Sequence, residues 1–227
     1  MIDTIPAKDL VAAIKREPSL RGMILGYVSE LMFEKHVPER YPVILSEHIE
    51  GHDSHDRLLN KSDRTVTYRG RRYAIQLKSI QTNSLGRSLL TAALHADIQN
   101  DASDRRAVKL RDGALLETTC YVRGEYDILA VPLFPFTGTW EFAYKRNRDC
   151  RTCTSRKYTE FQASHLLATT EKIAWPLTPD WHTNLLDLLD DQIGSPIGQP
   201  DVVAEPSGEV RVVEASAVIL PLEDKEV

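Results

Sequence analysis

The sequence predicts a mixed α/β architecture, a central sheet of both strand directions flanked by helices. Three features carry this expectation: helical apolar spacing near both ends of residues 1–192, two glycine-centred hairpin signals in the middle, and a nearly continuous apolar run at Tyr126–Val131. Helices bury a stripe and strands bury a face. Elements in this order cover one another when they form layers around one sheet.

Taken along the chain, Ala7–Lys15 predicts a short amphipathic helix over 7–17, ended by Pro18, whose ring clashes with the preceding turn. Ser19 caps a longer helix over about 20–36, where Met23, Ile24, Tyr27, Leu31 and Phe33 lie mostly at helical spacing and Glu30 and Glu34 stand one turn apart. Residues 42–46 predict a short strand, and 57–60 another. Arg64–Tyr68 and Arg72–Lys78 flank Arg69-Gly70-Arg71 and predict a hairpin. Over 84–98, Leu and Ala recur at helical intervals behind a serine, which predicts a helix. Residues 105–111 and 114–122 flank Asp112-Gly113, a pair suited to a tight hairpin turn. Tyr126–Val131 predicts a strand buried on both faces. Gly138 then opens the alternating Thr139–Tyr144 as a neighbouring strand, and Thr183 caps a last helix over about 183–191. From 193 to 227 the chain is rich in Pro, Gly, Val and acids, which predicts a flexible or weakly strand-forming acidic tail behind a single domain of residues 1–192.

At 227 residues, 42% hydrophobic and 27% charged, the chain has material for one ordinary domain with a real core. No apolar run approaches the roughly 20 residues of a membrane span, and Met1–Lys15 lacks the apolar stretch of a signal peptide. Three cysteines make a disulfide framework unexpected and point to a reducing, cytoplasmic compartment. The formal net charge is −5, yet Lys and Arg outnumber Asp and Glu by 12 to 4 over residues 57–111 and by 6 to 1 over 145–157, while residues 180–227 carry 2 against 11. Two basic blocks inside an acidic chain are compatible with phosphate contacts, which need a local basic face rather than a high overall pI.

Hydrolysing a phosphodiester at neutral pH requires a divalent metal, acidic oxygens to hold it, and a cation to offset charge on the phosphate. An acid at one strand end and an acid–x–Lys pattern on the adjacent strand supply these compactly, because residues i and i+2 share a strand face. Gln76-Leu77-Lys78 has that spacing: Gln76 and Lys78 point one way, Leu77 points into the core, and the Leu77 carbonyl stays available at the strand end. Asp53, Asp56 and Asp63 all precede the strand. Asp56, in His55-Asp56-Arg57-Leu58-Leu59, is the preferred partner, and Asp63 in Lys61-Ser62-Asp63 reads more as a turn.

Taken with Glu30 in the upstream helix and Gly124–Val131 as a later buried strand, these pieces resemble the PD-(D/E)XK nuclease superfamily, particularly its restriction-endonuclease-like members, over roughly residues 20–190. The resemblance implies a restriction-endonuclease-like mixed sheet and a Mg²⁺-dependent DNA endonuclease in which Mn²⁺ substitutes, plausible in restriction or anti-phage defence. It implies Asp56 as principal metal ligand, Gln76 where most members have Glu or Asp, the Leu77 carbonyl as a further ligand, Lys78 on the water and phosphate, and Glu30 as accessory ligand. Gln76 departs from the family pattern: an amide oxygen binds Mg²⁺ but adds no charge. A nuclease-fold protein that binds nucleic acid without cutting is therefore the alternative, ahead of a non-enzymatic interaction module. Cutting both strands of a duplex implies a homodimer.

Arg69, Arg71 and Arg72 of the hairpin and Lys145, Arg146 and Arg148 of the second basic block are the expected contacts to the DNA backbone. Residues 145–157 are expected to be a basic loop between strands. Cys150-Arg151-Thr152-Cys153 lacks a four-ligand zinc pattern unless Cys120 and His165 complete it. His48, His52 and His55 read as a polar loop, and Trp140, Phe142 and Tyr144 as core and strand residues rather than base-stacking platforms.

Overall fold

The computed structural model describes residues 4–45, 62–81, 83–89, 92–110, 112–192 and 202–203. It opens with α1 (Ala7–Arg16) and α2 (Pro18–Arg40). Pro18 ends one helix and starts the next, at a position where a missing N–H breaks no bond. The second helix runs past its expected end, through Pro38, because Phe33 and Val37 are buried against the sheet and carry the helix with them.

Strands β1 (Ile44–Leu45), β2 (Arg64–Tyr68) and β3 (Arg71–Leu77) follow. The expected hairpin forms with Arg64 opposite Ile75 and Tyr68 opposite Arg71. Its turn residues Arg69 and Gly70 both have positive φ, 49° and 75°, the handedness that fits a two-residue connection between twisted strands. After it come β4 (Gly86–Arg87), β5 (Leu94–Gln99), β6 (Asp101–Leu110), β7 (Leu115–Cys120) and β8 (Ile128–Pro132). The short α3 (Phe134–Thr137), β9 (Phe142–Arg146), α4 (Glu160–His165), β10 (Thr170–Trp175), α5 (Leu185–Gln192) and β11 (Val202–Val203) complete the order.

The central sheet has the order β1-β2-β3-β8-β9. β3 and β8 are parallel and the other neighbours antiparallel, so the sheet is mixed, with helices beside it, as expected. Tyr73, Ile75 and Leu77 of β3 pack with Phe33 of α2 and Leu185, Leu188 and Leu189 of α5 on one face. On the other face Leu129 and Val131 of β8 join Ala96, Ile98 and Ile173 from a second sheet, β10-β5-β4. A third sheet, β11-β6-β7, contributes Val108, Leu110 and Cys120 to a small core of its own.

Several expectations are corrected. No helix forms among the described residues of 84–98: β4 and β5 occupy parts of the segment, and Ala92 between them has φ 55°, outside the right-handed helical region. The deciding pattern is the period of two at Ala96 and Ile98, realised because β5 pairs along its whole length with β10, more than 70 residues on. Helix α4, too short to show helical apolar periodicity, has a readable capping box, Thr159 with Gln162. The last helix is capped by Asn184, whose side chain accepts from Leu186 N–H at 3.2 Å; Thr183 instead offers its carbonyl to the Tyr41 hydroxyl. The expected strand over 57–60 lies outside the described residues, as does the acidic tail apart from Val202 and Val203, which pair with Leu110 and Lys109.

Residues 145–157 do not begin as an open basic loop. β9 is buried along its length, and Lys145 is only 3% exposed. Its ammonium donates to Asp180 at 2.7 Å and Glu171 at 3.3 Å and lies 5.2 Å from the Trp181 ring centre. Arg146 is engaged with Asp191 and, at 3.6 Å, with Asp149. Neither side chain is available to a DNA phosphate, because a charge brought into the core is retained only when paired.

Burial works to lower the Lys145 pKa, but Asp180 and Glu171 outweigh it and the net shift is upward; burial likewise works against Asp180, whose pKa Lys145 brings down. The sign of the pH dependence follows. The contribution of Lys145 is fully present below its ordinary value and is lost as pH rises through the raised one; that of Asp180 is present above its ordinary value and is lost as pH falls through the lowered one. The pair is thus intact at neutrality. Glu171→Ala should destabilise the protein by about 3 kcal/mol at pH 7, measured by urea unfolding, because it leaves a buried ammonium short of a partner. A loss below about 0.5 kcal/mol would mean that Asp180 alone satisfies Lys145.

Candidate functional site at the end of β3

Alternation along β3 sends Tyr73, Ile75 and Leu77 into the core shared with α2 and α5, and so sends Gln76 to the opposite face. Lys78, just past the strand, follows Gln76: its Nζ lies 5.2 Å from the ring centre of Tyr121, a residue of the second core. β2 starts only at Arg64, opposite Ile75, so Asp63 lies beyond its end, level with Gln76. One Asp63 carboxylate oxygen accepts from the Gln76 amide and from the Leu77 backbone N–H at 2.8 Å, where β2 would otherwise have supplied a carbonyl. The N–H and C=O of one strand residue leave on the same edge, so the Leu77 carbonyl also faces this edge, while the Lys78 N–H turns to the Ala130 carbonyl at 3.1 Å.

The Lys78 ammonium donates to the Asp101 carbonyl at 3.0 Å. Burial pulls its pKa below the ordinary lysine value, and the negative charges of Asp63, Asp101 and Glu30 oppose that pull. Burial pushes the Tyr121 hydroxyl up, and Asp63 and Glu125 push it further. From α2, Glu30 and Glu34 meet the guanidinium of Arg64, which is 5% exposed; the Glu30 contact is 3.4 Å and the Glu34 contact closer. One residue from each of the key positions, the Ser29 and Ser79 hydroxyls touch at 3.0 Å.

Gln76 is 2% exposed and its Oε1 finds no hydrogen-bond partner among the described residues. An orphaned buried acceptor costs about 1–3 kcal/mol. Beside it lie a carboxylate and a backbone carbonyl, so the donors are all oxygens, the set that suits a hard divalent cation whose remaining positions are filled by water and phosphate oxygens. No group of three or more His, Cys, Asp and Glu that could hold a metal is found among the described residues.

The structure therefore brings Gln76, Leu77 and Lys78 to one strand end, where Asp63 bonds to Gln76 and Leu77, while Glu30 meets Arg64 next to Asp63. Asp53, Asp56, His48, His52 and His55 lie outside the described residues. The signal for Asp63 was present in the sequence: with a two-residue turn at Arg69-Gly70, hairpin register sets residue 63 opposite residue 76. Arg69, Arg71 and Arg72 are not brought to this end. They sit at the opposite end of β3, roughly 20 Å away at about 3.3 Å per residue. Arg69 there pairs with Asp190 at 3.0 Å, and Arg71 lies over the Tyr73 ring. Arg148 has an exposed guanidinium 4.0 Å from Asp149. Cys150 and Cys153 fall in different cores; burial, with Glu171, pushes the Cys150 thiol up to about 12, and Cys153 clusters with Cys120. The His165 ring nitrogen contacts the Phe161 carbonyl at 2.9 Å.

No protein-family model matches the chain, and no curated protein matches its sequence. Among solved structures it is similar to a bacterial homing endonuclease, I-Ssp6803I, with 13% sequence identity and a TM-score of 0.38 over 77% of this chain and 97% of that one. No helix among the described residues is long and apolar enough to cross a membrane.

Arg64 ties α2 to the sheet immediately beside Asp63. Arg64→Met should cost roughly 2 kcal/mol in urea unfolding, less than a fully buried pair because Glu30 and Glu34 retain access to water. A change within about 0.5 kcal/mol would class the contact with ordinary surface pairs.

Proposed function

We propose that this protein is a metal-dependent nuclease that hydrolyses DNA phosphodiesters at the end of β3, in the manner of the PD-(D/E)XK nucleases that the strand resembles. The observation that carries the reading is the buried Oε1 of Gln76, without a partner among the described residues, set beside the Asp63 carboxylate and near the Lys78 ammonium. Asp63, Gln76 Oε1 and the Leu77 carbonyl would hold Mg²⁺ or Mn²⁺. When bound, such an ion polarises the phosphate and makes water a better nucleophile.

The chain's own residues have separable tasks. The Gln76 amide and Leu77 N–H aim Asp63; Lys78 places a positive charge where charge builds on the phosphate. The Asp101 carbonyl and the Tyr121 face fix the direction of that ammonium. Glu30 lies close enough to act on Lys78 electrostatically, but its charge is shared with Arg64, so it serves as a positioning residue rather than a principal ligand. A second reading, a nuclease-fold protein that binds DNA and cuts slowly or not at all, is favoured by one observation: Gln76 is neutral, and among the described residues Asp63 is the carboxylate that bonds to the Q-x-K strand.

Incubation of the purified protein with plasmid and single-stranded DNA plus Mg²⁺ or Mn²⁺ tests both readings. Cleavage should fall at least roughly a hundredfold in Lys78→Ala and in Asp63→Asn, as for loss of a charge-stabilising group, and Asp56→Asn should cut normally. Equal residual cleavage in wild type and Lys78→Ala would remove the site; metal-independent binding without cleavage would favour the second reading. Because burial lowers the Lys78 pKa, its ammonium is lost on raising the pH earlier than an ordinary lysine's. The rate should therefore decline on the alkaline side below the ordinary lysine value of about 10.4, and Lys78→Arg should move that decline upward in a pH–rate profile.

A further inference from the structure

β6 is the middle strand of the third sheet, with β7 along one edge and the two residues of β11 on the other. β11 runs antiparallel to β6, with Val202 opposite Leu110 and Val203 opposite Lys109. The chain therefore leaves Val203 heading along β6 toward Asp101. On that side β6 has no strand partner from Asp101 to Val108 among the described residues, and an open edge is a template for another strand. Twenty-four residues follow Val203 in the sequence, six of them Asp or Glu and two Lys or Arg.

The two faces of β6 differ. Val108 and Leu110 are buried with Cys120 and Cys153. Ala107 and Lys109 alternate to the outward face, and Arg105 is exposed. From β7, Glu117 stands opposite Ala107. On the β11 side, the place beside Ala107 is filled by no strand among the described residues.

We propose that the tail extends β11 by Ala204 and Glu205 along this edge, and that Glu205 lodges between Arg105 and Lys109, covering them against the phosphates of DNA; the competition rests on the nuclease reading. The register of β11 sets Ala204 opposite Val108 and Glu205 opposite Ala107. A small apolar residue thus falls on the buried face and a charge on the outward one, as a strand with one covered face requires. Diagonal neighbours across two strands lie about 7–8 Å apart, within reach of long side chains, so Glu205 meets both cations. Pro206, which donates no N–H, falls opposite Arg106 and ends the pairing. Arg106 is itself committed to Glu125. The covered row adjoins the candidate site. Asp101, at the root of β6, holds the Lys78 ammonium through its carbonyl, and Arg105 lies four residues on. That is roughly 13 Å along a strand, which a DNA backbone covers in about four nucleotides.

The full chain tests the strap in two arms. Carbodiimide joins a carboxylate to an amine only at salt-bridge range, so a Glu205–Lys109 crosslink within one chain is expected by mass spectrometry. Its absence would overturn the proposal. So would a crosslink joining ¹⁵N-labelled to unlabelled chains, which assigns the tail to a second copy. In the other arm a labelled DNA duplex is titrated by fluorescence anisotropy, in EDTA and in Mg²⁺. Glu205→Gln should bind roughly fivefold more tightly than wild type near about 50 mM salt, with a salt slope steeper by about one. Glu226→Gln, an equal change of charge at the far end of the tail, should stay within about 1.5-fold of wild type. Equal gains in both variants would reduce the effect to net charge and overturn the strap. No gain in Glu205→Gln would overturn the competition, and in both cases the nuclease reading stands. No DNA binding by wild type or Glu205→Gln in either buffer would remove the nuclease reading and the competition with it.

Discussion

The structure turns on a strand that is covered on both faces and still carries polar side chains. β3 lies third of five in the central sheet, with α2 and α5 on one side and the β10-β5-β4 sheet beyond the other. Burying an amide or an ammonium there without partners costs several times more than a typical hydrogen bond returns. Gln76 and Lys78 are tolerated because they fall where β3 outlasts β2. At that step Asp63 replaces the missing strand for Leu77, and Asp101 receives Lys78. The arrangement leaves the Gln76 Oε1 without a partner among the described residues.

The same step explains why the surroundings are built as they are. Arg64, the first residue of β2, turns its guanidinium toward Glu30 and Glu34, so the helix that covers the core is fastened one residue from Asp63. Ser29 and Ser79 make a second fastening next to it. Movement of α2 would thus disturb the orientation of Asp63, and the rigidity of the site derives from the packing of Phe33 and Val37 beneath the helix. A polar site supported by a close-packed core keeps its geometry without further ordering when a ligand arrives.

Basic residues illustrate how charge and position part company. Lys145 and Arg146 belong to a dense basic stretch of sequence, yet they are consumed by Glu171, Asp180, Asp149 and Asp191. The hairpin arginines stand at the far end of β3, where Arg69 meets the acidic end of α5 through Asp190. Local charge counts register how many cations a segment carries; they do not register carboxylates such as Glu171 and Asp190, which the fold brings to Lys145 and Arg69 from 26 and 121 residues away.

Residue periods, turn dipeptides and proline positions were sufficient by themselves to determine the mixed α/β class, both hairpins, the first two helices, the buried strand at β8 and the shared face of Gln76 and Lys78. These are local properties: φ preferences at Gly70 and Gly113, and the alternation of a strand, act within a few residues. Tertiary structure alone decided that Leu94–Gln99 is strand and not the end of a helix, since the apolar spacing there fits both periods until β10 supplies a partner. The pairing of Asp63 with Gln76 was implicit in the hairpin register but visible only once the two-residue turn at Arg69-Gly70 is seen. Asp63 looked like a turn residue because nothing nearby in sequence needs its carboxylate; only hairpin register, set by where the turn falls, carries it to the end of β3. The spacing of Gln76 and Lys78 was legible in the sequence, whereas the contact from Asp63 was a matter of geometry.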